Sequence, residues 1–100
     1  MNTTIEEKDG VMTVAFDGRL DTINVPEVEE TIRPIFTTET KEIILDCSKL
    51  EYISSSGLRI FLSIALNSQE TGKHVTVTGV NSFVANLLEM TGFTDLFDFK

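Results

Sequence analysis

The chain has 100 residues, 41% hydrophobic and 24% charged, which suits a single domain over residues 1–100 with one two-layer core and argues against disorder. Sixteen acids against eight Lys and Arg give a formal charge of −8, so no nucleic-acid partner is expected and anionic membrane surfaces are disfavoured. The one cysteine, Cys47, excludes an internal disulfide and a multi-cysteine metal site.

The first residues, Met1 to Glu7, lack the basic start and apolar run of a signal peptide. No stretch of about eighteen apolar residues follows that could insert in a membrane. A reducing cytoplasm is the expected location.

Two apolar-alternating segments, Thr3–Glu7 and Val11–Phe16, flank Lys8-Asp9-Gly10, where Asp-Gly is a strong turn signal; together they predict a β-hairpin. Gly18-Arg19-Leu20-Asp21 then reads as a loop. Asn24 and Pro26 mark a helix start, because proline is tolerated in a first turn and asparagine accepts its free N–H groups. Val25, Val28, Ile32, Ile35 and Phe36 recur at helical spacing, and Pro34 should kink or stop that helix near Arg33.

Ile43-Ile44-Leu45 predicts a short buried strand ending at Asp46-Cys47. The run from Leu58 to Leu66 predicts a second helix, with Leu58, Phe61, Leu62 and Ala65 on its core stripe, Ser54 or Ser55 as its cap and Gly72 beyond its end. His74 to Gly79 alternates as a strand. A last helix carries Phe83, Val84, Leu87, Leu88 and Met90, with Asn81 or Ser82 as cap and Gly92 as stop. Leu96, Phe97 and Phe99 should tie the C-terminus to the core. The order β-β-α-β-α-β-α predicts an α/β fold, a mixed sheet with interleaved helices packed on it.

Enzyme signatures are missing. The chain has no nucleophile elbow, no phosphate loop and no dinucleotide-binding glycine pattern, so no catalytic residue and no cofactor is expected. His74, the sole histidine, reads as a surface residue without a nucleophile to serve. Cys47, at the end of a buried strand, reads as a small hydrophobe.

The distinctive segment is Tyr52-Ile53-Ser54-Ser55-Ser56-Gly57-Leu58-Arg59. Its hydroxyls admit two roles. One is capping, for which a single serine suffices. The other is phosphorylation: first-turn donors tolerate a phosphate, whereas a partner docked over it must desolvate nearly two added charges. At about 100° per residue, Ile60 and Ile64 share the side of Ser56. They are either outward-facing beside that hydroxyl or covered by a neighbouring helix.

The segment Asp46 to Arg59 resembles the central motif of STAS-domain anti-sigma-factor antagonists, in which a strand ends in Asp and Asp-Ser-Ser-Gly-Leu opens a helix. Gly18-Arg19-Leu20-Asp21 resembles the family's Gly-x-Leu-Asp loop. The resemblance spans nearly the whole chain and implies a STAS-like fold and partner switching. The unmodified antagonist would bind an anti-sigma factor with serine kinase activity and so release a sigma factor; the kinase would phosphorylate the antagonist, and a serine phosphatase would reset it. By position the acceptor is Ser56, with Ser55 and Ser54 as lesser candidates. The implied partner-binding set is Gly18, Asp21, Ser54, Ser55, Ser56, Gly57, Ile60 and Ile64. Ser54 stands where the family often has Asp. The alternative is an unphosphorylated STAS scaffold docked constitutively in another signalling or lipid-transport complex.

Overall fold

Hydrophobic alternation along the second strand sets the architecture. Met12, Val14 and Phe16 are buried on one face, while Val11, Thr13 and Ala15, which alternate with them, are only half-buried. The computed structural model describes residues 1–92 and 94–100. Its strands are β1 (Asn2–Lys8), β2 (Val11–Leu20), β3 (Glu42–Ile53), β4 (His74–Thr78) and β5 (Asp98–Phe99). The helices are α1 (Val25–Thr31), α2 (Arg33–Thr37), α3 (Ser55–Thr71) and α4 (Ser82–Met90), with a 3₁₀ turn at Thr94–Leu96.

The sheet runs in chain order, β1-β2-β3-β4-β5. The β1–β2 pair is antiparallel, and every later pair is parallel. The hairpin turn has positive φ at both Asp9 (53°) and Gly10 (79°), the geometry that suits the strands' right-handed twist. Parallel neighbours need crossovers, which α1–α2, α3 and α4 supply. Their buried residues (Val28, Ile32, Ile35, Phe61, Ala65, Val84 and Leu88) close over Met12, Val14, Phe16, Ile43, Leu45, Val75 and Val77 to form the core.

The mixed α/β architecture is as the sequence predicts, with two elements added. Pro34 breaks the first helix at Ile32, and the chain resumes as the short α2. The C-terminus adds β5, where Lys100 N–H donates to Val77 O at 2.9 Å. Phe97 is buried with its ring edge-on to Phe61, at 6.5 Å between centroids, and holds that strand in place.

Two expected boundaries move. The predicted loop Gly18–Asp21 is strand as far as Leu20, and the predicted short strand at 43–47 runs on to Ile53. Each extension pairs with the other, from Asp17↔Lys49 to Leu20↔Ile53, with register shifts after Ala15 and after Gly18. Asp46, Ser48, Lys49 and Glu51 hide this strand from periodicity. Cross-strand pairing and the burial of Leu50 and Ile53 hold it.

The predicted phase of α3 is corrected. Ile60 is 4% exposed and Ile64 fully buried, so neither faces outward. The buried set is Gly57, Ile60, Phe61, Ile64, Ala65 and Ser68, at i, i+3, i+4, i+7, i+8 and i+11. Leu58 and Leu62 are half-buried on its flank. Apolar residues on both flanks left the phase open; the close approach at Gly57 fixes it. Phe83 and Met90 of α4 likewise lie outside the core, at 48% and 82% exposed. Gly72 ends α3 with φ 72°, and Asn81 caps α4 by accepting Val84 N–H at 2.8 Å.

Candidate functional site

The two motifs meet at one end of the sheet. Pairing of the strand extensions places Leu20 beside Ile53, and Ser54 N–H donates to Leu20 O at 2.9 Å. Ser54 is the N-cap of α3: its Oγ accepts Gly57 N–H at 3.1 Å. The helix start is thus capped by a neutral side chain. Gly57 seats the helix directly on Leu20 and Ile53.

The chain leaves β2 through a turn built by Asp21 and Asn24. Asp21 Oδ1 accepts the N–H groups of Ile23 and Asn24, both at 3.1 Å. Asn24 Oδ1 accepts Asp21 N–H at 3.0 Å, and its Nδ2 donates to Arg19 O at 2.5 Å. Asn24 is the N-cap residue of α1, as predicted, but its side chain serves this turn and makes no cap bond to the helix. Gly18 supplies φ 117° where β2 bulges. Gly18, Asp21, Ser54 and Gly57 are therefore structural positions of one corner.

That corner presents the two remaining serines. Ser55 is exposed, and Ser56 is half-buried at the mouth of a cleft of about 270 Å³ between α1 and α3. Val25, Glu29, Ser56, Arg59, Ile60 and Ser63 line it, so Ile60 contributes as its floor. Ile64 lies in the core and has no part in the corner. Beside the corner, Arg19 lies 4.2 Å above the Tyr52 ring, which stacks on Phe83 at 5.6 Å. Sequence reading missed this ladder and missed Glu29 and Arg59. The signal available for Arg59 was its position one helical turn after Ser56.

The chain's one histidine and one cysteine both lie away from this corner. His74 sits at the start of β4, the opposite end of the parallel strands from Ser56, where its ring bonds Glu42 at 2.9 Å and also Asp98. Burial, with a smaller push from Asp46, raises the Cys47 thiol to about 12, so it stays protonated. Among the described residues, no group of three or more His, Cys, Asp or Glu could hold a metal ion, and no helix is long and apolar enough to cross a membrane.

The chain thus joins a mixed five-stranded sheet to a capped, serine-bearing helix start beside an open cleft. The STAS domain family model matches residues 2–100, and the chain belongs to that family. It is 32% identical over 98 residues to an anti-sigma-B factor antagonist of Staphylococcus aureus, covering 96% of this chain and 91% of the relative. Its fold is similar to that of an anti-sigma factor antagonist from Mycobacterium paratuberculosis, with a TM-score of 0.85 and 22% identity, covering 98% of this chain and 83% of the other. It is also similar to the Bacillus cell fate determinant SpoIIAA in its phosphorylated form, with a TM-score of 0.77 and 16% identity over 99% of this chain and 91% of that one.

Proposed function

We propose that this protein is an anti-sigma-factor antagonist that works by reversible association in the cytoplasm. Unmodified, it binds an anti-sigma factor with serine kinase activity and frees a sigma factor; phosphorylation of Ser56 releases it, and a serine phosphatase restores it. The observation that carries this reading is the meeting of the Gly18–Asp21 and Ser54–Gly57 segments at one exposed corner, in a chain whose curated relatives are anti-sigma-B factor antagonists. Ser54 is engaged as a cap, and of the other two hydroxyls Ser56 is the one that lines the cleft. The partner surface is centred on Ser55 and Ser56, with Ile60 beneath them, and Gly18, Asp21, Ser54 and Gly57 hold that corner in place. Binding is its activity; turnover of a substrate is not.

The energetics favour a switch of association over a switch of fold. In the first turn of α3 an added negative charge gains roughly 0.3–1 kcal/mol from the free N–H groups. Across an interface the same charge must lose its water, at a penalty of several kcal/mol unless a basic group meets it. The second effect is larger, so modification should abolish binding and leave the fold in place.

Titration calorimetry against the anti-sigma partner tests this. Ser56→Ala should bind like wild type and resist the kinase. Ser56→Asp should bind more than tenfold more weakly, a loss of about 1.4 kcal/mol, while melting within a few degrees of wild type. Full binding by protein carrying phosphate on Ser56, or kinase labelling confined to Ser54 or Ser55, would overturn the proposal.

A further inference from the structure

We infer that the α1–α3 cleft receives the phosphoryl group of phosphorylated Ser56, with Arg59 as the group that holds it and Glu29 as the group that opposes it. This rests on the reading of Ser56 as the modified residue and names how that site is regulated within the chain. Ser56 and Arg59 are one turn apart on α3, the spacing at which helical side chains touch, and both line the same cleft. Among the described residues Arg59 makes no ion pair. It is also, among the described residues, the only cation lining the cleft.

The other charged groups nearby are accounted for. Glu29, on α1, lines the cleft opposite Ser56. Arg33, further along the same groove, is held by Glu30 at 2.7 Å. Asp21, in the turn before α1, spends its carboxylate on the Ile23 and Asn24 N–H groups. Ser63 donates its hydroxyl to Arg59 O and so has no proton for a phosphate. A guanidinium offers a fork of donors to phosphate oxygens, so Arg59 is the cleft's one matched partner. Turned toward Arg59, the phosphate would lie over Ile60 and fill the cleft a partner would otherwise enter.

The test places phosphoserine at position 56 during translation, without any kinase, and follows its second ionisation by phosphorus NMR. In wild type the dianion should form below the usual value of about 6. Arg59→Gln should raise that midpoint by about 0.3 pH unit or more, and Glu29→Gln should lower it. Both residues are exposed, and circular dichroism melts will confirm that the variants fold. A midpoint in Arg59→Gln within about 0.1 unit of wild type overturns the inference. So does a Glu29→Gln midpoint that rises. Because no kinase is used, a kinase that selects another serine would sink the functional reading and leave this measurement as it stands.

Discussion

At Gly57 an added methyl carbon would lie 2.8 Å from both Leu20 Cγ and Ile53 Cγ1. Neither atom is the free end of a flexible chain, so the helix start would have to lift off the two strands. Alanine offers roughly 1 kcal/mol of helix propensity, less in a first turn, whereas overpacking costs about 1–3 kcal/mol. Gly57→Ala should therefore lower stability by about 1 kcal/mol or more in urea unfolding. Unchanged stability would show that the corner yields. The same contact explains why the glycine follows three serines: the hydroxyls can vary in role only because Gly57 fixes where they stand.

At the level of elements, α3 is apolar on more than one side, and its neighbours choose which side is core. Ile60→Asp would place a carboxylate where the side chain is 4% exposed, beneath α1. The expected loss is about 3 kcal/mol or more, from removing a buried isoleucine and desolvating the charge that replaces it. Ile23→Asp is the matched control, since Ile23 is 90% exposed in the turn before α1 and its replacement should change stability by only about 0.5 kcal/mol. Equal urea midpoints for the two variants would reject the observed helix phase. Lys73 illustrates the same dependence on neighbours. Its Nζ is drawn inward to Ile35 O at 2.7 Å, tying α2 to the loop after α3, and burial lowers its pKa.

Across the whole molecule, His74 joins three strands, bonding Glu42 of β3 and Asp98 of β5 from its place on β4. Hydrogen bonds that the ring N–H groups donate to these two carboxylates, the one to Asp98 weighing more, raise its pKa above 6.5. The protonated ring favours the folded state, so its contribution is fully present below pH 6.5 and fades as pH rises through the higher folded value. Wild-type urea midpoints should thus fall from pH 6 toward pH 8, and His74→Gln should flatten that fall. A slope unaltered by the substitution would mean the bridge contributes nothing. Asp46 acts in the opposite sense. Ser48 N–H and Oγ hold its carboxyl below 3.8, so its contribution is present above that value and lost in acid.

The sequence by itself determined the elements whose signals are local. Asp9-Gly10 turns the hairpin, Pro34 breaks the first helix and Gly72 stops α3, because each acts on backbone atoms within four residues of itself; the caps were narrowed to Ser54 or Ser55 and Asn81 or Ser82, and the structure chose Ser54 and Asn81. The serine corner was legible too, as two short motifs. Tertiary structure alone decided the rest. The strand extensions of β2 and β3 exist because each supplies the other's hydrogen bonds, and no periodicity marks a strand whose residues alternate poorly. Strand β5 has two residues and forms only where the edge of β4 is available. Whether Ile60 points out or in depended on Leu20 and Ile53 meeting Gly57, residues brought together across some forty positions of chain by the β2–β3 pairing.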